Sequence, residues 1–188
     1  MPNNVLFNLI APLYDRIFKV SNSEILRDLL QLNKDQLLLD AGGGTGRVSA
    51  QFQNDVHQLI LGDYSFSMLR EAKKKNPGEQ LQFSSLELPF SDESFDRILV
   101  VDAMHHFPEQ HRAVAELLRV LKTGGRLVIE EPNILHFEVK IIALLETLAL
   151  MGSHFHTPQE IQTMIEVESV QATVHLPEGH IAWIVAEK

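Results

Sequence analysis

The feature that most constrains this chain is residues 37–46, which read Leu-Leu-Leu-Asp-Ala-Gly-Gly-Gly-Thr-Gly. Three consecutive apolar residues are typical of a buried strand in a parallel sheet, and Asp40 closes that strand. A glycine-rich turn between a strand and a helix lets a ligand approach backbone that a Cβ atom would block. We predict a helix over Thr45–Phe52, whose N-terminal N–H groups suit an anionic ligand group. The stretch indicates a nucleotide-type cofactor site, with tight packing alone as the alternative.

The spacing of the glycines argues against one class of cofactor. A dinucleotide fingerprint Gly-x-Gly-x-x-Gly starting at Gly42 requires glycine or alanine at position 47, where the chain has Arg47. The pattern is instead Asp-x-Gly-x-Gly-x-Gly, led by Asp40. A nicotinamide-dependent oxidoreductase is therefore disfavoured.

Composition excludes several further classes. The chain has 188 residues, enough for one well-buried domain, and a formal net charge of −9. Because nucleic-acid binding usually leaves a basic footprint, no nucleic-acid partner is expected. Cysteine is absent, which excludes disulfides, thiolate metal sites and cysteine nucleophiles. No signal peptide is apparent at the start of the sequence, so we expect a cytoplasmic protein.

The segment Ile141–Met151 is almost wholly apolar. It is well short of the roughly 20 residues that span a membrane, so no stable membrane insertion is expected. A helix buried against the sheet, or against a second copy in a homodimer, is the simpler interpretation. An apolar lid over a greasy substrate or interfacial contact with a membrane is the alternative.

Strand and helix signals alternate along the chain from residue 34. Five β-α units followed by an antiparallel hairpin predict an α/β fold with a doubly wound, mostly parallel sheet. We expect one domain over 1–188, in which 1–33 forms a helical cap over the active site and 34–188 the α/β core. The predicted helices are Glu24–Leu32, Thr45–Phe52, Ser65–Lys75, Pro108–Leu121, Ile134–Met151 and one capped by Thr157–Glu160, and the predicted strands are Leu37–Leu39, Leu59–Leu61, Leu81–Phe83, Asp96–Val101, Arg126–Glu130, Val167–Leu176 and Ile181–Ala186.

Most of the predicted parallel strands end in carboxylates, at the edge of the sheet where ligands of such folds bind. The ends are Asp40, Asp63, Asp102 and Glu130-Glu131, while the third strand ends at Ser84-Ser85. Acidic residues also favour exposed turns and helix starts, which is the simpler explanation for some of them. Asp63 has the strongest case, because an acidic side chain ending the strand beside the glycine turn commonly holds both ribose hydroxyls.

Four motifs occur in order between Leu37 and Pro132. They are Leu39–Gly46, Gly62–Ser65 with Met68-Leu69, Leu88-Pro89-Phe90 with Ser94-Phe95-Asp96, and Leu121–Leu127. Together they resemble the class I S-adenosylmethionine-dependent methyltransferases. The third motif is similar to the small-molecule branch that includes the ubiquinone and menaquinone C-methyltransferases, as is the segment Phe7–Ala11 with Tyr14-Asp15. The resemblance implies a Rossmann-like methyltransferase fold with a seven-stranded sheet.

By that resemblance the cofactor is S-adenosyl-L-methionine and the product S-adenosyl-L-homocysteine. The glycine turn would hold the methionine part, with Asp40 orienting the turn and the amino group. Asp63 would hold the ribose and Tyr64 would lie beside the adenine. The family usually has an Asp-Ala pair where this chain has Ser84-Ser85, so a modest cofactor affinity is expected. The implied cofactor-binding residues are Asp40, Gly42, Gly43, Gly44, Gly46, Asp63, Tyr64, Met68, Ser84, Ser85, Leu86 and Asp102.

Methyl transfer from a sulfonium requires in-line geometry and exclusion of water, and a general base only if the acceptor must lose a proton. His105 and His106, just past the fourth strand, are the candidate catalytic bases, with Glu130-Glu131 as further candidates. The family often has histidine in this segment for packing, which is the simpler alternative. His154-x-His156 lies near no cysteine and beside a predicted helix start, so no metal site is expected.

The leading hypothesis is an enzyme that methylates a small, apolar acceptor such as a quinol-like ring. The alternative is a catalytically weak or inactive S-adenosylmethionine-binding protein of the same fold, which the Ser84-Ser85 departure favours. The expected partner is a small-molecule substrate, together with a second copy of the chain if the protein forms a homodimer.

Overall fold

The computed structural model describes residues 22–75, 77–148 and 151–188. Its strands are β1 Leu37–Ala41, β2 Gln58–Asp63, β3 Glu79–Gln82, β4 Phe95–Val101, β5 Leu121–Pro132, β6 Gln171–His175 and β7 Ile181–Glu187. Its α-helices are α1 Ser23–Leu30, α2 Phe66–Ala72, α3 Gln110–Val120, α4 Phe137–Leu148 and α5 Pro158–Glu166. Single 3₁₀ turns occur at Ser49–Gln51 and Met104–His106.

The seven described strands form one sheet in the order β3-β2-β1-β4-β5-β7-β6. The pairs β2–β3, β1–β2, β1–β4 and β4–β5 are parallel. Strand β7 runs antiparallel between β5 and β6. The predicted α/β fold, a mostly parallel, Rossmann-like sheet with a C-terminal antiparallel hairpin, is confirmed.

Both faces of the central strands are buried, which explains their unbroken apolar runs. Leu38 in β1 and Leu99 in β4 belong to the core on the side of α1 and α2. Their neighbours Leu39 and Ile98 belong to the core on the side of α3 and α5. Because side chains alternate along a strand, two adjacent leucines supply both layers of the doubly wound fold.

Helix α1 packs on one face of the sheet. Leu26 and Leu30 are fully buried, and Arg97 and Arg126 donate to the carbonyl oxygens of Leu30 and Leu29 at its C-terminus, at 2.6 and 2.9 Å. The described part of the predicted cap over 1–33 thus lies against the sheet. The remainder, including Phe7–Ala11 and Tyr14-Asp15, lies outside the described residues.

The predicted helix over Thr45–Phe52 is wrong. The backbone adopts left-handed conformations at Gly44 and Gly46, with φ of +56° and +69°, and an α-helix cannot pass through such residues. Beyond them, Phe52 N–H bonds Ser49 O across three residues, as in a 3₁₀ turn. The glycine turn is therefore followed by a 3₁₀ turn and not by the N-terminus of a long helix.

Several other predicted boundaries differ from the structure, and three of the differences have a clear physical reason. Helix α3 begins after Glu109, so Pro108 is not its first residue. Strand β5 starts at Leu121 rather than Arg126, because the chain stays paired through the turn at Gly124, where φ is +77°. Strand β6 is shorter than predicted, because α5 and the turn after it occupy the chain up to Ser169.

Helix α4 is shorter than predicted, and the interpretation of its segment as buried against the sheet is wrong. Val139 is fully buried, whereas Phe137, Leu144 and Leu148 are exposed. Within the described residues, no helix is both long and apolar enough to cross a bilayer.

Candidate active site

A pocket opens at the carboxyl ends of β1, β2 and β4, where the sequence predicts a ligand site. The glycine turn after β1 forms one wall, the ends of β2 and β3 form a second, and the segment after β4 forms a third. The lining residues are Ala41, Gly42, Gly44, Gly62, Asp63, Tyr64, Ser65, Met68, Phe83, Ser84, Ser85, Leu86, Asp102, Ala103, His106, Phe107 and Pro108.

The glycine turn is held against β2 by backbone hydrogen bonds. The N–H groups of Gly42 and Gly43 both donate to Gly62 O, at 2.8 and 3.0 Å. Gly42 has a φ of +77°, and a Cβ there would lie 2.8 Å from the Cβ of Ala103. Glycine is therefore required at this position both by backbone conformation and by space.

Asp63 is clamped at the end of β2 by two backbone donors. Gly44 N–H donates to its Oδ2 at 2.9 Å and Ser65 N–H donates to its Oδ1 at 2.7 Å. Each carboxylate oxygen has two lone pairs, so each can accept one further hydrogen bond from the pocket. Two acceptors side by side match the two adjacent hydroxyls of a ribose.

Burial raises the pKa of three carboxyl groups around the glycine turn. It raises the pKa of Asp63 to about 6, against the lowering effect of the two backbone donors. It raises the pKa of Asp102 to about 6 and that of Asp40 to about 7.

Asp102 also has a left-handed backbone, with φ of +53°, and its Oδ2 lies 3.5 Å from an Arg47 guanidinium nitrogen. Such strained residues occur preferentially at functional sites.

The structure brings most of the predicted cofactor-binding residues into the pocket. Gly42, Gly44, Asp63, Tyr64, Met68, Ser84, Ser85, Leu86 and Asp102 all line it. Asp40 and Gly43 instead line a smaller neighbouring cavity behind the glycine turn. Gly46 lines neither of these two cavities, because it packs on Pro77 and Leu61.

Sequence reasoning missed the aromatic walls of the pocket. The ring of Phe83 lies over Gly62, where an added Cβ would be 1.8 Å from the ring. Phe107 packs beside Gly42 in the same way. The available signal was the position of Phe83 at the end of the short third strand, and of Phe107 next to the histidine pair.

His105 lies behind the pocket rather than in its lining. Its side chain is 3% exposed, and its Nδ1 is 2.5 Å from Oε2 of Glu131. The Oε1 of Glu131 accepts the N–H groups of Ala103 and Met104 at 2.9 and 2.7 Å. Burial lowers the pKa of His105, but Glu131 and the nearby carboxylates of Asp102 and Glu146 together raise it to about 9. This geometry suits a role in holding the segment after β4.

His106 lines the pocket, and its Nδ1 is 3.1 Å from Ser153 Oγ. Burial and the neighbouring His105 lower its pKa to about 2, so the ring is neutral at physiological pH. A group with so low a pKa is a weak general base, although a neutral imidazole still accepts or donates a hydrogen bond. In the His154-x-His156 pair, where no metal site is expected, His154 Nδ1 lies near Gly152 O and His156 Nδ1 near Glu160.

Comparison with known proteins identifies a methyltransferase domain in this chain. Residues 39–129 match the family described as a methyltransferase domain. A demethylmenaquinone methyltransferase from Thermobifida fusca is 34% identical over 139 residues, which cover 67% of this chain and 59% of that protein. Residues 39–129 thus form a methyltransferase domain, and the chain resembles the class I S-adenosylmethionine-dependent methyltransferases. The resemblance inferred from the four sequence motifs is thus confirmed.

A second curated methyltransferase matches the chain at a similar level of identity. A ubiquinone/menaquinone biosynthesis C-methyltransferase from Pseudoalteromonas translucida is 34% identical over 110 residues, or 53% of this chain and 44% of that protein. The chain spans about half the length of the curated relatives it matches.

Solved methyltransferase structures share the fold. One from Thermotoga maritima superposes with a TM-score of 0.79 at 21% identity and covers 97% of this chain and 98% of its own. A geranyl diphosphate C-methyltransferase from Streptomyces coelicolor, solved with S-adenosyl-L-homocysteine, gives a TM-score of 0.74 at 16% identity, covering 88% of this chain and 77% of its own.

Proposed function

We propose that this protein transfers a methyl group from S-adenosyl-L-methionine to a small, apolar acceptor. The observation that carries the proposal is the carboxylate of Asp63, which lines the pocket beside the glycine turn and is held there by the N–H groups of Gly44 and Ser65. A ribose bound there donates its two hydroxyls to one carboxylate, which is how this fold commonly selects an adenosyl cofactor.

The remaining pocket walls fit the other parts of the cofactor. Met68, Phe83 and Leu86 provide apolar contact for the adenine, and the hydroxyl groups of Ser84 and Ser85 line the same end. Ser84 Oγ accepts the N–H of Leu86 at 3.2 Å, so its hydrogen can still be donated to a ring nitrogen. The methionine part then extends along the glycine turn towards Asp102, whose carboxylate favours a positively charged sulfonium.

The acceptor enters from the side of the segment after β4. Ala103, Phe107 and Pro108 form an apolar wall there, with the polar ring of His106 beside them. An apolar ring packs on this wall, and the relatives named for demethylmenaquinone and ubiquinone act on such rings. Because the sulfonium is already activated, holding acceptor and methyl group in line supplies much of the catalysis. His106 orients the acceptor through a hydrogen bond.

A second candidate function is cofactor binding without transfer. It is favoured by the two histidines, since His105 lies behind the pocket and the pKa of His106 is lowered to about 2. An acceptor that must lose a proton finds no ready base in either of them.

The test incubates the full chain with methyl-labelled S-adenosyl-L-methionine and a panel of small quinols and phenols, and detects the methylated product by mass spectrometry. We expect turnover with an apolar ring, weaker cofactor binding and lower turnover in Asp63→Asn, and loss of turnover with retained cofactor binding in His106→Phe. Cofactor binding without turnover across the panel supports the second candidate. Absence of cofactor binding refutes both.

A further inference from the structure

A cluster of three potential metal ligands lies directly behind the pocket wall. One ring nitrogen each of His105 and His106 and one carboxylate oxygen of Glu146 lie within 4.8 Å of one another. His105 Nε2 is 4.0 Å from Oε2 of Glu146. That oxygen is buried and has no hydrogen-bond partner among the described residues. A buried carboxylate oxygen without a donor is costly, so the position favours a cation.

The surroundings orient His105 in the manner of a metal ligand. Its Nδ1 is 2.5 Å from Glu131, which is itself fixed by the backbone N–H groups of Ala103 and Met104. A histidine that binds metal through one nitrogen usually donates its other N–H to a carboxylate or carbonyl, which fixes the ring. The ring of His106 is held in turn by Ser153, at 3.1 Å from its Nδ1.

The charge around the cluster is also suited to a divalent ion. Carboxylate oxygens of Glu131 and Glu146 lie 2.5 and 4.0 Å from the two ring nitrogens of His105. Asp102 is paired with Arg47 at 3.5 Å, which leaves two carboxylates facing a single imidazole. A divalent cation bound between His105 and Glu146 therefore lies close to two negative charges, which favour it electrostatically.

We infer that His105, His106 and Glu146 bind one divalent transition-metal ion, for which Zn²⁺ is the reference. Two imidazole nitrogens and a carboxylate oxygen form a donor set that zinc uses in open, three-ligand sites. Bond lengths of about 2.0–2.2 Å require the ligand atoms to converge by roughly 1 Å. Glu146 has three rotatable side-chain bonds, so a change in its side-chain torsions can supply that movement.

Such an ion would lie at the boundary of the cofactor pocket, because His106 belongs to both. Because Nδ1 of His106 is held by Ser153, its Nε2 would bind the ion. The coordination position that three protein ligands leave open would then hold an oxygen or nitrogen atom of the acceptor, in place of the direct hydrogen bond from His106. This role rests on the proposed function, whereas the metal site itself does not.

The experiment titrates Zn²⁺ by calorimetry into full-length protein that has been stripped with a chelator, and records the absorption spectrum with Co²⁺. We expect one ion per chain and a Co²⁺ spectrum typical of nitrogen and oxygen ligands. Glu146→Gln should weaken binding at least about tenfold, since even outer-shell changes cost 10- to 100-fold. Glu138→Gln, an exposed carboxylate on the same helix, is the matched control and should bind like the wild type.

Two results would overturn the inference. One is no saturable binding by the folded wild-type protein. The other is binding of Zn²⁺ by Glu146→Gln with the same affinity as the wild type. That result would mean that histidines on the surface bind the ion, and that a protonated His105 lies between Glu131 and Glu146 instead. Circular dichroism confirms that each variant is folded. Titration of the metal-free protein with S-adenosyl-L-homocysteine reports separately on the proposed function.

Discussion

Replacement of Asp63 by asparagine isolates the contact on which the cofactor assignment depends. In the wild type each carboxylate oxygen accepts one backbone N–H, from Gly44 or Ser65, and retains one lone pair for a ribose hydroxyl. The asparagine amide keeps one acceptor oxygen and replaces the other with an NH₂ group, which cannot accept. One ribose hydroxyl therefore loses its acceptor, and one backbone donor is left facing another donor.

The loss of one hydrogen bond sets the expected decrease in cofactor affinity. A hydrogen bond to a charged group contributes about 1.5–3 kcal/mol, so loss of one should weaken binding of S-adenosyl-L-homocysteine by about 10- to 150-fold. Isothermal titration calorimetry on Asp63→Asn measures this. Glu87→Gln removes an exposed carboxylate near the pocket and should leave the affinity unchanged.

A second ligand separates ribose binding from an indirect effect on the glycine turn. With an analogue that lacks the ribose 2′-hydroxyl, the penalty of Asp63→Asn should shrink, because the two changes remove the same interaction. An equal penalty for both ligands would refute the reasoning, since it would mean that Asp63 acts only by holding Gly44 and Ser65.

Three further predictions follow from the same pocket. Burial raises the pKa of Asp63 to about 6 and the ribose binds its charged form, so affinity should fall about tenfold between pH 7.5 and pH 5, with a smaller slope in Asp63→Asn. Gly42→Ala should lower the free energy of unfolding by about 1–3 kcal/mol more than Gly124→Ala. Both glycines have a φ of +77°, but of the two only Gly42 has neighbouring atoms where the added Cβ would lie. Equal decreases in the melting temperature of the two variants would contradict this prediction. Ser84→Asp should raise cofactor affinity several-fold by restoring a carboxylate, whereas an unchanged calorimetric affinity would show that Ser84 does not contact the adenine.

The sheet was predictable because its central strands carry a simple signal. Consecutive leucines at 38 and 39 require cover on both faces, and a strand with both faces buried belongs to a parallel sheet with helices on each side. The positions of Asp63 and Asp102 followed from the same rule, since parallel strands end at one edge. No interaction between distant residues had to be known.

The failures have a common physical cause, because each depends on contacts between distant segments. The chain after Gly46 has helical composition, but the left-handed backbone at the glycines leaves only a 3₁₀ turn. His105 and His106 are adjacent in sequence, yet Glu131 on β5 holds one ring behind the pocket while the other lines it. Phe83 reaches the site because Gly62 on the neighbouring strand leaves room for its ring.

The most direct test of the account is calorimetric titration of the full chain at pH 7.5 with S-adenosyl-L-methionine, S-adenosyl-L-homocysteine and NAD. We expect both adenosyl ligands to bind at one site per chain, Asp63→Asn to weaken the binding of both, and NAD not to bind. At about 1 mM ligand, even a binding free energy of roughly −4 kcal/mol is detected. Failure of both adenosyl ligands to bind at that concentration would contradict the assignment of the pocket to this cofactor.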